Sequence, residues 1–138
     1  MIIAAVKINI TGNKNNILLV DNEFDITYTL SSVLEDNGFE VDSTTDPVLA
    51  LSNYKTNFYD LVILDIKMPV MDGFELCKKI RELDPKVKIC FLTASEMFYE
   101  EYREARFKLS GKIGEEFFIQ KPMKNEDLIR KINEIIDL

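Results

Sequence analysis

A buried strand that ends in an acidic residue is the feature that most constrains this chain. Residues 61–64 form an unbroken apolar run, Leu-Val-Ile-Leu, and Asp65 follows directly. Pro69 comes soon after, and an apolar run of this length bounded by a turn is typical of a strand that is buried on both faces. We therefore expect a strand that carries a carboxylate at its C-terminal tip.

Polar side chains also follow two other predicted strands. Residues 17–20, Ile-Leu-Leu-Val, lead into the triplet Asp-Asn-Glu at 21–23, and the run at residues 87–92 leads into Thr93. Ligands of open α/β sheets bind outside the carboxyl ends of the strands. The sequence therefore predicts one polar site that is built from the tips of several strands.

Strand and helix patterns alternate from residue 17 onward. The predicted strands are 17–20, 39–44, 60–65, 87–92 and 117–119, and the predicted helices are 25–37, 47–55, 73–83, 96–109 and 125–137. Right-handed crossovers between successive strands give a parallel sheet with helices on both faces. Strands rich in Val, Ile and Leu fit burial of both faces. We expect an α/β fold with a doubly wound, five-stranded sheet.

Turn-forming residues mark the helix ends, and apolar stripes mark the buried faces. Gly38 follows the first helix, Pro47 opens the second at its first position, and Pro85 follows the third. The first and last helices each carry one stripe at helical spacing. The residues expected to face inward are Ile26, Leu30, Val33 and Leu34 in the first helix, and Leu128, Ile132, Ile135 and Ile136 in the last.

The distribution of charged residues argues against direct binding to nucleic acid and against a membrane span. Seventeen basic residues against 24 acidic ones give a net charge of −7, and no basic cluster occurs along the chain. A solvated acidic surface explains this charge, and we expect no direct contact with nucleic acid. Charged residues interrupt the apolar ones throughout, so no window of about 18 apolar residues exists and no membrane span is expected.

The chain contains no histidine, which excludes histidine-based acid–base catalysis and histidine-ligated metals from within it. Its two cysteines, Cys77 and Cys90, fall in a predicted helix and a predicted strand and form no CxxC pair. We expect both to be reduced and buried as small apolar residues. The N-terminus lacks the pattern of a signal peptide, so we expect a cytoplasmic protein.

The first 16 residues differ in character from the rest and form an N-terminal extension to a domain at 17–138. Residues 2–10 are apolar enough for an extra strand, and residues 11–16 are a polar, turn-rich linker. The extension could pair with a sheet edge, mediate association or be disordered, and the sequence does not decide among these.

Four blocks of sequence together resemble the receiver domain of two-component response regulators. They are residues 17–23 (ILLVDNE), 64–73 (LDIKMPVMDG), 92–95 (LTAS) and 120–122 (QKP). The stretch Asp-x-x-Met-Pro-x-Met-Asp-Gly is quite specific by itself, and the resemblance covers residues 17–138. It implies a flavodoxin-like fold with the strand order 2-1-3-4-5.

The resemblance also implies a chemistry. A phosphohistidine of a sensor histidine kinase, or of a phosphotransfer protein, would donate its phosphoryl group to Asp65. Mg²⁺ would bridge Asp65 and the phosphoryl oxygens, with Asp21, Asn22 and the backbone carbonyl of Lys67 as further ligands. The chain would be a phosphoacceptor that promotes its own Mg²⁺-dependent phosphorylation and dephosphorylation, not an enzyme in the usual sense.

Three further positions complete the implied site. Thr93 would donate its hydroxyl to one phosphoryl oxygen and Lys121 would pair with another, while the Phe118 ring would turn inward when Thr93 moves. Each has an ordinary explanation when taken alone. Thr93 could be a strand terminator or helix cap, Lys121 a solvated loop charge, and Phe118 a core aromatic.

Asn22 departs from the family pattern, which usually has two adjacent acids where this chain has Asp21 and Asn22. An amide oxygen can still bind a metal, but it carries no charge. Two carboxylates about 4 Å apart repel by about 4 kcal/mol at an effective dielectric constant near 20. We therefore expect weaker Mg²⁺ binding rather than none, and Glu23 could swing in to compensate.

The segment between Thr93 and Lys121 is about six residues longer than usual in the family. The excess either changes the signalling face of the domain or is a neutral loop insertion, which surface loops tolerate at little cost. The last helix and its neighbours offer a surface that could form a homodimer.

The leading interpretation is a stand-alone phosphorylation switch. No output domain follows Leu138, so the signal would leave by contact with a downstream protein or by onward transfer of the phosphoryl group in a phosphorelay. The alternative is a docking module that works without phosphorylation, with Asn22 as the sign of a weakened site. A haloacid-dehalogenase-type phosphatase would need an Asp where Lys67 stands, and a flavin binder would need a phosphate loop after the first strand.

Overall fold

A parallel five-stranded sheet with the strand order β2-β1-β3-β4-β5 organises the protein. The computed structural model describes residues 15–94, 118–121 and 123–138. The strands are β1 (Asn16–Val20), β2 (Glu40–Thr44), β3 (Leu61–Asp65), β4 (Ile89–Ala94) and β5 (Phe118–Lys121). All four pairings are parallel. The predicted sheet and its order are therefore confirmed.

Four helices belong to the described part of the chain and are numbered here within it. They are α1 (Phe24–Asp36), α2 (Pro47–Ser52), α3 (Gly73–Leu83) and α4 (Asn125–Ile136). The helix predicted at 96–109 and most of the N-terminal extension, residues 1–14, lie outside the described residues. None of the helices in the described ranges is long and apolar enough to cross a lipid bilayer.

The two faces of the sheet form separate apolar cores, because neighbouring residues of a strand point to opposite faces. In β3, Val62 and Leu64 pack in the core that includes α3, whereas Leu61 and Ile63 pack in the core that includes α1 and α4. Every residue of β3 is buried. Full burial of such an aliphatic side chain contributes about 1.5–3 kcal/mol, so β3 is the centre of the fold.

The apolar stripe of α1 is narrower than predicted. Leu30 and Leu34 are buried as expected, but Ile26 and Val33 are only partly buried. The buried surface of α1 is completed instead by Thr27, whose hydroxyl donates a hydrogen bond of 2.9 Å to the Phe24 carbonyl. That bond satisfies the hydroxyl within the helix, which is why a polar side chain can occupy the core-facing position.

The predicted glycine signal at the end of α1 is confirmed by its geometry. Gly38 has a φ of +90°, and its N–H donates to the Glu35 carbonyl at 3.1 Å, while the Phe39 N–H donates to the Leu34 carbonyl at 3.2 Å. These two bonds and a left-handed residue form a Schellman motif. Phe39 and Leu34 lie in the same apolar core, so the helix end and the start of β2 are fixed together.

The helix α2 ends at Ser52, three residues before the predicted end at 55. The Tyr54 hydroxyl donates a hydrogen bond of 2.8 Å to Asp84, and the backbone N–H of Asn57 donates to the same carboxylate oxygen at 3.2 Å. Asp84 is itself buried. Because these contacts are made to a residue that is distant in the sequence, the helix ends early. No local sequence pattern predicts this early end.

The helix α4 confirms the prediction at its buried face. Leu128, Ile132 and Ile135 are buried, and Ile136 is partly buried. The Lys88 ammonium donates a hydrogen bond of 2.6 Å to the Ile136 carbonyl, so a cation stabilises the C-terminal end of the helix, where the carbonyl dipoles point.

The two cysteines are buried and free, as predicted. Cys77 lies in the core that includes α3, and Cys90 lies in the opposite core. Burial raises the pKa of both thiols, to about 11 for Cys77. Both therefore stay protonated and unreactive at neutral pH.

Gly73 is required by a close approach of two chain segments. A β-carbon at this position would lie 2.2 Å from the Asp65 carbonyl oxygen and 3.0 Å from the Ile66 Cα. The Gly73 N–H also donates to the Ile66 carbonyl at 2.8 Å. Only a residue without a side chain lets the start of α3 pack against the end of β3.

We predict that Gly73→Ala lowers the free energy of unfolding by about 3 kcal/mol, because the added methyl group meets backbone that cannot rotate away. Gly38→Ala is the matched control, since nothing lies within 4 Å of its β-carbon. There only the positive φ is penalised, and we expect a loss of about 1 kcal/mol. Urea unfolding of both variants measures the difference, and equal losses would contradict this explanation.

Candidate functional site

The carboxyl ends of β1, β3, β4 and β5 surround a cleft of about 250 Å³. Its lining residues are Asn22, Glu23, Asp65, Lys67, Leu92, Thr93 and Lys121. Parallel strands bring their carboxyl ends to one edge of the sheet. The topology therefore gathers polar side chains that are far apart in the sequence.

Asp21 lies at the end of β1 and is wholly buried. One of its carboxylate oxygens accepts a hydrogen bond of 3.0 Å from the Glu23 N–H, and its own backbone N–H donates to the Thr44 carbonyl at 3.3 Å. The first bond orients the carboxylate, and the second extends the pairing of β1 with β2. A buried carboxylate needs such compensation.

Asp65 is held at the tip of β3 by the turn that follows it. The close contact of Gly73 with the Asp65 carbonyl fixes the path of the backbone, and Asp72 caps α3 by accepting the Glu75 N–H at 2.9 Å. Val70, in the middle of the turn, has a φ of +72°, which is uncommon for a β-branched residue. The residue Asp65 is only 8% exposed and lines the cleft.

Lys121 joins the two carboxylates. Its Nζ lies 3.2 Å from Asp21 Oδ2 and 3.4 Å from Asp65 Oδ1, and its side chain is partly exposed. The sequence predicted that Lys121 would contact a phosphoryl oxygen, but it did not reveal the ion pair with Asp21. The ion pair could have been predicted from the sequence, because a lysine follows one parallel strand and acids follow two others.

The charges of these three groups control their protonation. Burial and, second, repulsion from Asp21 together raise the pKa of the Asp65 carboxyl to about 6, although Lys121 opposes both effects. Burial lowers the pKa of the Lys121 ammonium, but attraction to Asp65 and Asp21 outweighs it, so that this pKa is raised overall. Lys121 therefore stays charged at neutral pH, while Asp65 titrates close to neutrality.

Thr93 and Phe118 lie on the neighbouring strands. Thr93, near the end of β4, is 1% exposed, pairs in register with Gln120 and lines the cleft. Phe118 is buried, and its ring centroid lies 5.2 Å from that of Phe91, which in turn lies 5.2 Å from that of Phe74. Phe118 belongs to the apolar core and is not among the residues that line the cleft. Its position is therefore that of an ordinary core aromatic.

Most of the residues predicted from the sequence are therefore brought together at one edge. Asp65, Thr93 and Lys121 line the same cleft, Asp21 lies beneath it in contact with Lys121, and Lys67 contributes to the rim. Asn22 and Glu23 are both exposed and line the cleft as well.

These residues fit a small, hard cation. Mg²⁺ is usually bound by one or two carboxylates together with neutral oxygens and several waters, and Asp21, Asp65, the Asn22 amide and the Lys67 carbonyl are oxygen donors of that kind. In the described ranges no cluster of three or more His, Cys, Asp or Glu residues could form a denser metal cage. The pKa of Asp65, raised by burial and by repulsion from Asp21, indicates that added positive charge would be favourable here.

Comparison with known proteins identifies the family to which this chain belongs. The family model described as "Response regulator receiver domain" matches residues 17–133. The transcriptional regulatory protein DltR of Streptococcus agalactiae is 32% identical over 117 residues, which cover 84% of this chain and 49% of DltR. Hybrid signal transduction histidine kinase B of Dictyostelium discoideum is 34% identical over 82% of this chain but only 6% of its own length.

A solved structure agrees with the fold. The chemotaxis protein CheY4 of Vibrio cholerae superposes with a TM-score of 0.75 at 29% identity, covering 89% of this chain and 99% of CheY4. This chain thus matches nearly all of one small protein, about half of a regulator and a small part of a kinase. The predicted resemblance and fold are confirmed, and the chain belongs to the response regulator receiver domain family of two-component signalling, whose members are phosphoacceptors.

Proposed function

We propose that this protein is a phosphorylation switch in which Asp65 accepts a phosphoryl group from a phosphohistidine. The observation that carries the proposal is the position of Lys121 Nζ, which lies 3.4 Å from Asp65 and 3.2 Å from Asp21 in the cleft. A carboxylate that opens into a cleft beside a fixed cation can receive a group that brings negative charge. Catalysis of phosphoryl transfer consists mainly of positioning and charge stabilisation, and this site supplies both.

The transfer is a displacement at phosphorus. A carboxylate oxygen of ionised Asp65 attacks the phosphorus atom and forms a P–O bond, while the P–N bond to the donor imidazole breaks. The imidazole nitrogen leaves with the electron pair of that bond. Asp65 is aimed at the cleft by the turn that follows β3, and most of its surface is buried, which limits the access of water to the acyl phosphate.

Two cations balance the charge of the phosphorylated state. Lys121 is placed to exchange its contact with Asp65 for one with a phosphoryl oxygen while it keeps its ion pair with Asp21. A unit charge pair 4 Å apart is worth about 4 kcal/mol at an effective dielectric constant of 20. Mg²⁺ bound through Asp21, Asp65, the Asn22 amide and the Lys67 carbonyl would supply the remaining neutralisation.

The output is a shift of population between two conformations. Thr93 lines the cleft, so its hydroxyl can donate to a phosphoryl oxygen and draw the end of β4 toward the cleft. Phe118 lies two residues before the Gln120 that pairs with Thr93, close enough to respond as the switch aromatic. A phosphoryl group that favours one state shifts the equilibrium by its differential binding energy.

Exposed apolar residues that follow the cleft residues Glu23 and Lys67 along the chain support a protein as the phosphodonor. Phe24 and Tyr28 in α1 are 69% and 66% exposed, and their rings stack with centroids 6.0 Å apart. Val70 in the turn after β3 is 92% exposed. Exposed aromatic pairs next to a functional cleft are typical of protein interaction sites, which fits a sensor histidine kinase or a phosphotransfer protein.

The relatives support both ends of such a pathway, because one is a transcriptional regulatory protein and another a hybrid histidine kinase. We place this chain between a cytoplasmic kinase domain and a downstream protein target, or in a phosphorelay. Its net charge of −7 disfavours direct contact with nucleic acid. Homodimerisation through α4 and its neighbours stays a prediction.

The alternative function is docking without phosphorylation, and Asn22 is the residue that favours it, because it removes one negative charge from the expected metal site. The two functions differ in whether Asp65 reacts, which the first of the following predictions measures directly.

We predict that acetyl phosphate and Mg²⁺ add the mass of one phosphoryl group to the protein, because Asp65 is the cleft carboxylate beside Lys121. Intact-mass spectrometry measures the shift. Asp65→Asn should abolish it, and Asp60→Asn, which changes an exposed acid outside the cleft, should leave it unchanged. A folded wild-type protein that gains no mass would support the docking alternative.

We predict that Asn22→Asp tightens Mg²⁺ binding by about tenfold, or 1.4 kcal/mol. The added carboxylate attracts the ion, but its repulsion from Asp21 and its desolvation offset most of that gain. Titration calorimetry of the unphosphorylated protein measures the affinity, with Asn22→Ala as the control that removes the amide oxygen. Equal affinities of the wild type and Asn22→Asp would reject a weakened site.

We predict that Asp65→Asn is more stable than the wild type at pH 7 by about 1–2 kcal/mol, with the metal removed by a chelator. The pKa of Asp65 is raised from 3.8 to about 6 by folding, and each pKa unit corresponds to about 1.4 kcal/mol. Loss of the contact with Lys121 offsets part of this gain.

The sign of the pH dependence follows from the raised pKa. The native protein binds the proton more tightly than the unfolded chain, so this group costs stability above about pH 6, and the cost disappears as the pH falls toward 4. Urea unfolding at several pH values should show the two proteins converging at low pH. A difference that is constant with pH would contradict a raised Asp65 pKa.

A further inference from the structure

Three aromatic rings, which we call the ring row, follow one another through the core that includes α3. Phe118 begins β5, Phe91 lies in β4, and Phe74 is the second residue of α3. The ring centroids of Phe118 and Phe91 lie 5.2 Å apart, and those of Phe91 and Phe74 also lie 5.2 Å apart. All three residues are buried in the same core. The ring row therefore connects the start of β5 to the first turn of α3.

Phe91 is the middle member of the ring row and contacts both of the others. It is wholly buried, and it pairs in register with Leu64 of β3 on one side and with Phe118 of β5 on the other. Its ring plane lies at 37° to that of Phe118 and at 70° to that of Phe74. Ring pairs at such separations stabilise a core beyond the burial of their area. Phe91 is thus held by contacts on two sides.

Phe74, at the other end of the row, adjoins the turn that carries Asp65. It follows Gly73 directly, and a β-carbon at Gly73 would lie 2.2 Å from the Asp65 carbonyl oxygen. The Gly73 N–H also donates to the Ile66 carbonyl at 2.8 Å. Because α3 and the end of β3 already touch, a displacement of Phe74 must either move the backbone of Asp65 or break this hydrogen bond.

A ring in such a core does not move alone. Protein interiors are packed as densely as organic crystals, and an unfilled space the size of a side chain destabilises the fold. If Phe118 turns away or is shortened, the neighbouring ring of Phe91 relaxes into the space and loses part of its contact with Phe74. The packing at the start of β5 is therefore linked to the turn after β3.

The ring row is a better route from Phe118 to Asp65 than β5 itself. Phe118 does not line the cleft, so its effect on Asp65 needs an intermediary. Lys121, three residues later, contacts Asp65, but every residue of β5 pairs in register with β4. A turn of the Phe118 side chain thus leaves the backbone that carries Lys121 in place, whereas the ring row passes the change from side chain to side chain.

We propose that Phe91 is a positioning residue for Asp65, which couples the packing of Phe118 to the turn that holds the carboxylate. This role rests on the proposed function for its consequence, namely that the packing of Phe118 alters the rate at which Asp65 accepts a phosphoryl group. Energetic coupling is reciprocal, so the phosphorylated state in turn favours one packing of Phe118.

Hydrogen exchange of the Gly73 amide, measured by NMR on the full, metal-free chain, tests the coupling without phosphorylation. Phe118→Leu should accelerate this exchange about tenfold, because the hydrogen bond to Ile66 opens more readily when the ring row loosens. In the Phe91→Leu background the same change should add nothing, since the row is already broken. Slow exchange of the Ile63 amide in β3 shows that each variant is folded.

Phe39→Leu is the matched control, because it shortens a buried ring in the opposite core. Phe118→Leu should keep its full effect on the Gly73 amide in that background. Phe74→Leu breaks the ring row at its other end and should remove the effect of Phe118→Leu, as Phe91→Leu does. It decides the question if Phe91→Leu does not fold.

The consequence for Asp65 is measured by the rate of mass gain from acetyl phosphate and Mg²⁺. Phe118→Leu should slow this gain about threefold in the wild-type background and leave it unchanged in the Phe91→Leu background, because a loosened turn positions the carboxylate less well. A wild type that gains no mass rejects the proposed function, while the exchange experiment still decides whether the coupling exists.

Three outcomes would overturn the role of Phe91. Phe118→Leu could leave exchange of the Gly73 amide unchanged. It could accelerate that exchange equally in the wild-type and Phe91→Leu backgrounds, which would assign the effect to β5 and Lys121. It could also leave the rate of mass gain unchanged while the wild type is phosphorylated.

Discussion

The repulsion between two carboxylates, Asp21 and Asp65, is the interaction on which the site depends. Both are buried at adjacent strand tips, and burial, with their mutual repulsion as the second cause, raises the pKa of Asp65 to about 6. The fold does not relieve this repulsion by separating them. It places the Lys121 ammonium 3.2 Å from Asp21 and 3.4 Å from Asp65. Asp65 therefore has a pKa near neutrality and lies next to a cation. Under the proposed function, the same geometry would attract a divalent cation and accept a phosphoryl group.

Several of the described elements around this site help to hold the two acids in place. β3 is the central strand and is buried on both faces, so the tip that carries Asp65 lies in the middle of the sheet edge. Gly73 lets α3 approach so closely that the turn cannot shift, and pairing of β4 with β5 sets Lys121 in register with the end of β4. The apolar cores supply the stability of the fold. The positions of the polar groups at the sheet edge can therefore serve the electrostatics of the site.

The sequence was sufficient for the sheet and for most of the site because both follow from short-range patterns. Apolar runs that end in polar residues locate the strands, and parallel topology brings their tips together, so Asp65, Thr93 and Lys121 could be grouped by their positions along the chain. The early end of α2 could not be predicted, because it depends on the bond between Tyr54 and Asp84, 30 residues apart. Thr27 in the core of α1 and the pair formed by Lys121 and Asp21 depend in the same way on three-dimensional contacts that propensity does not encode.

Asn22 changes the charge balance of the site in two opposing ways. With Asp21 and Asp65 ionised and Lys121 protonated, these three groups carry one net negative charge, and an acid at position 22 would make it two. A phosphoryl group carries about −1.5 to −2 charges, so a site with one acid fewer holds an acyl phosphate against less repulsion. The same missing charge would weaken the attraction for the divalent cation that the proposed phosphoryl transfer needs. Under the proposed function, an amide at this position would therefore exchange metal affinity for a lower cost of holding the phosphorylated state, and the lifetime of that state would depend on which of the two effects is larger.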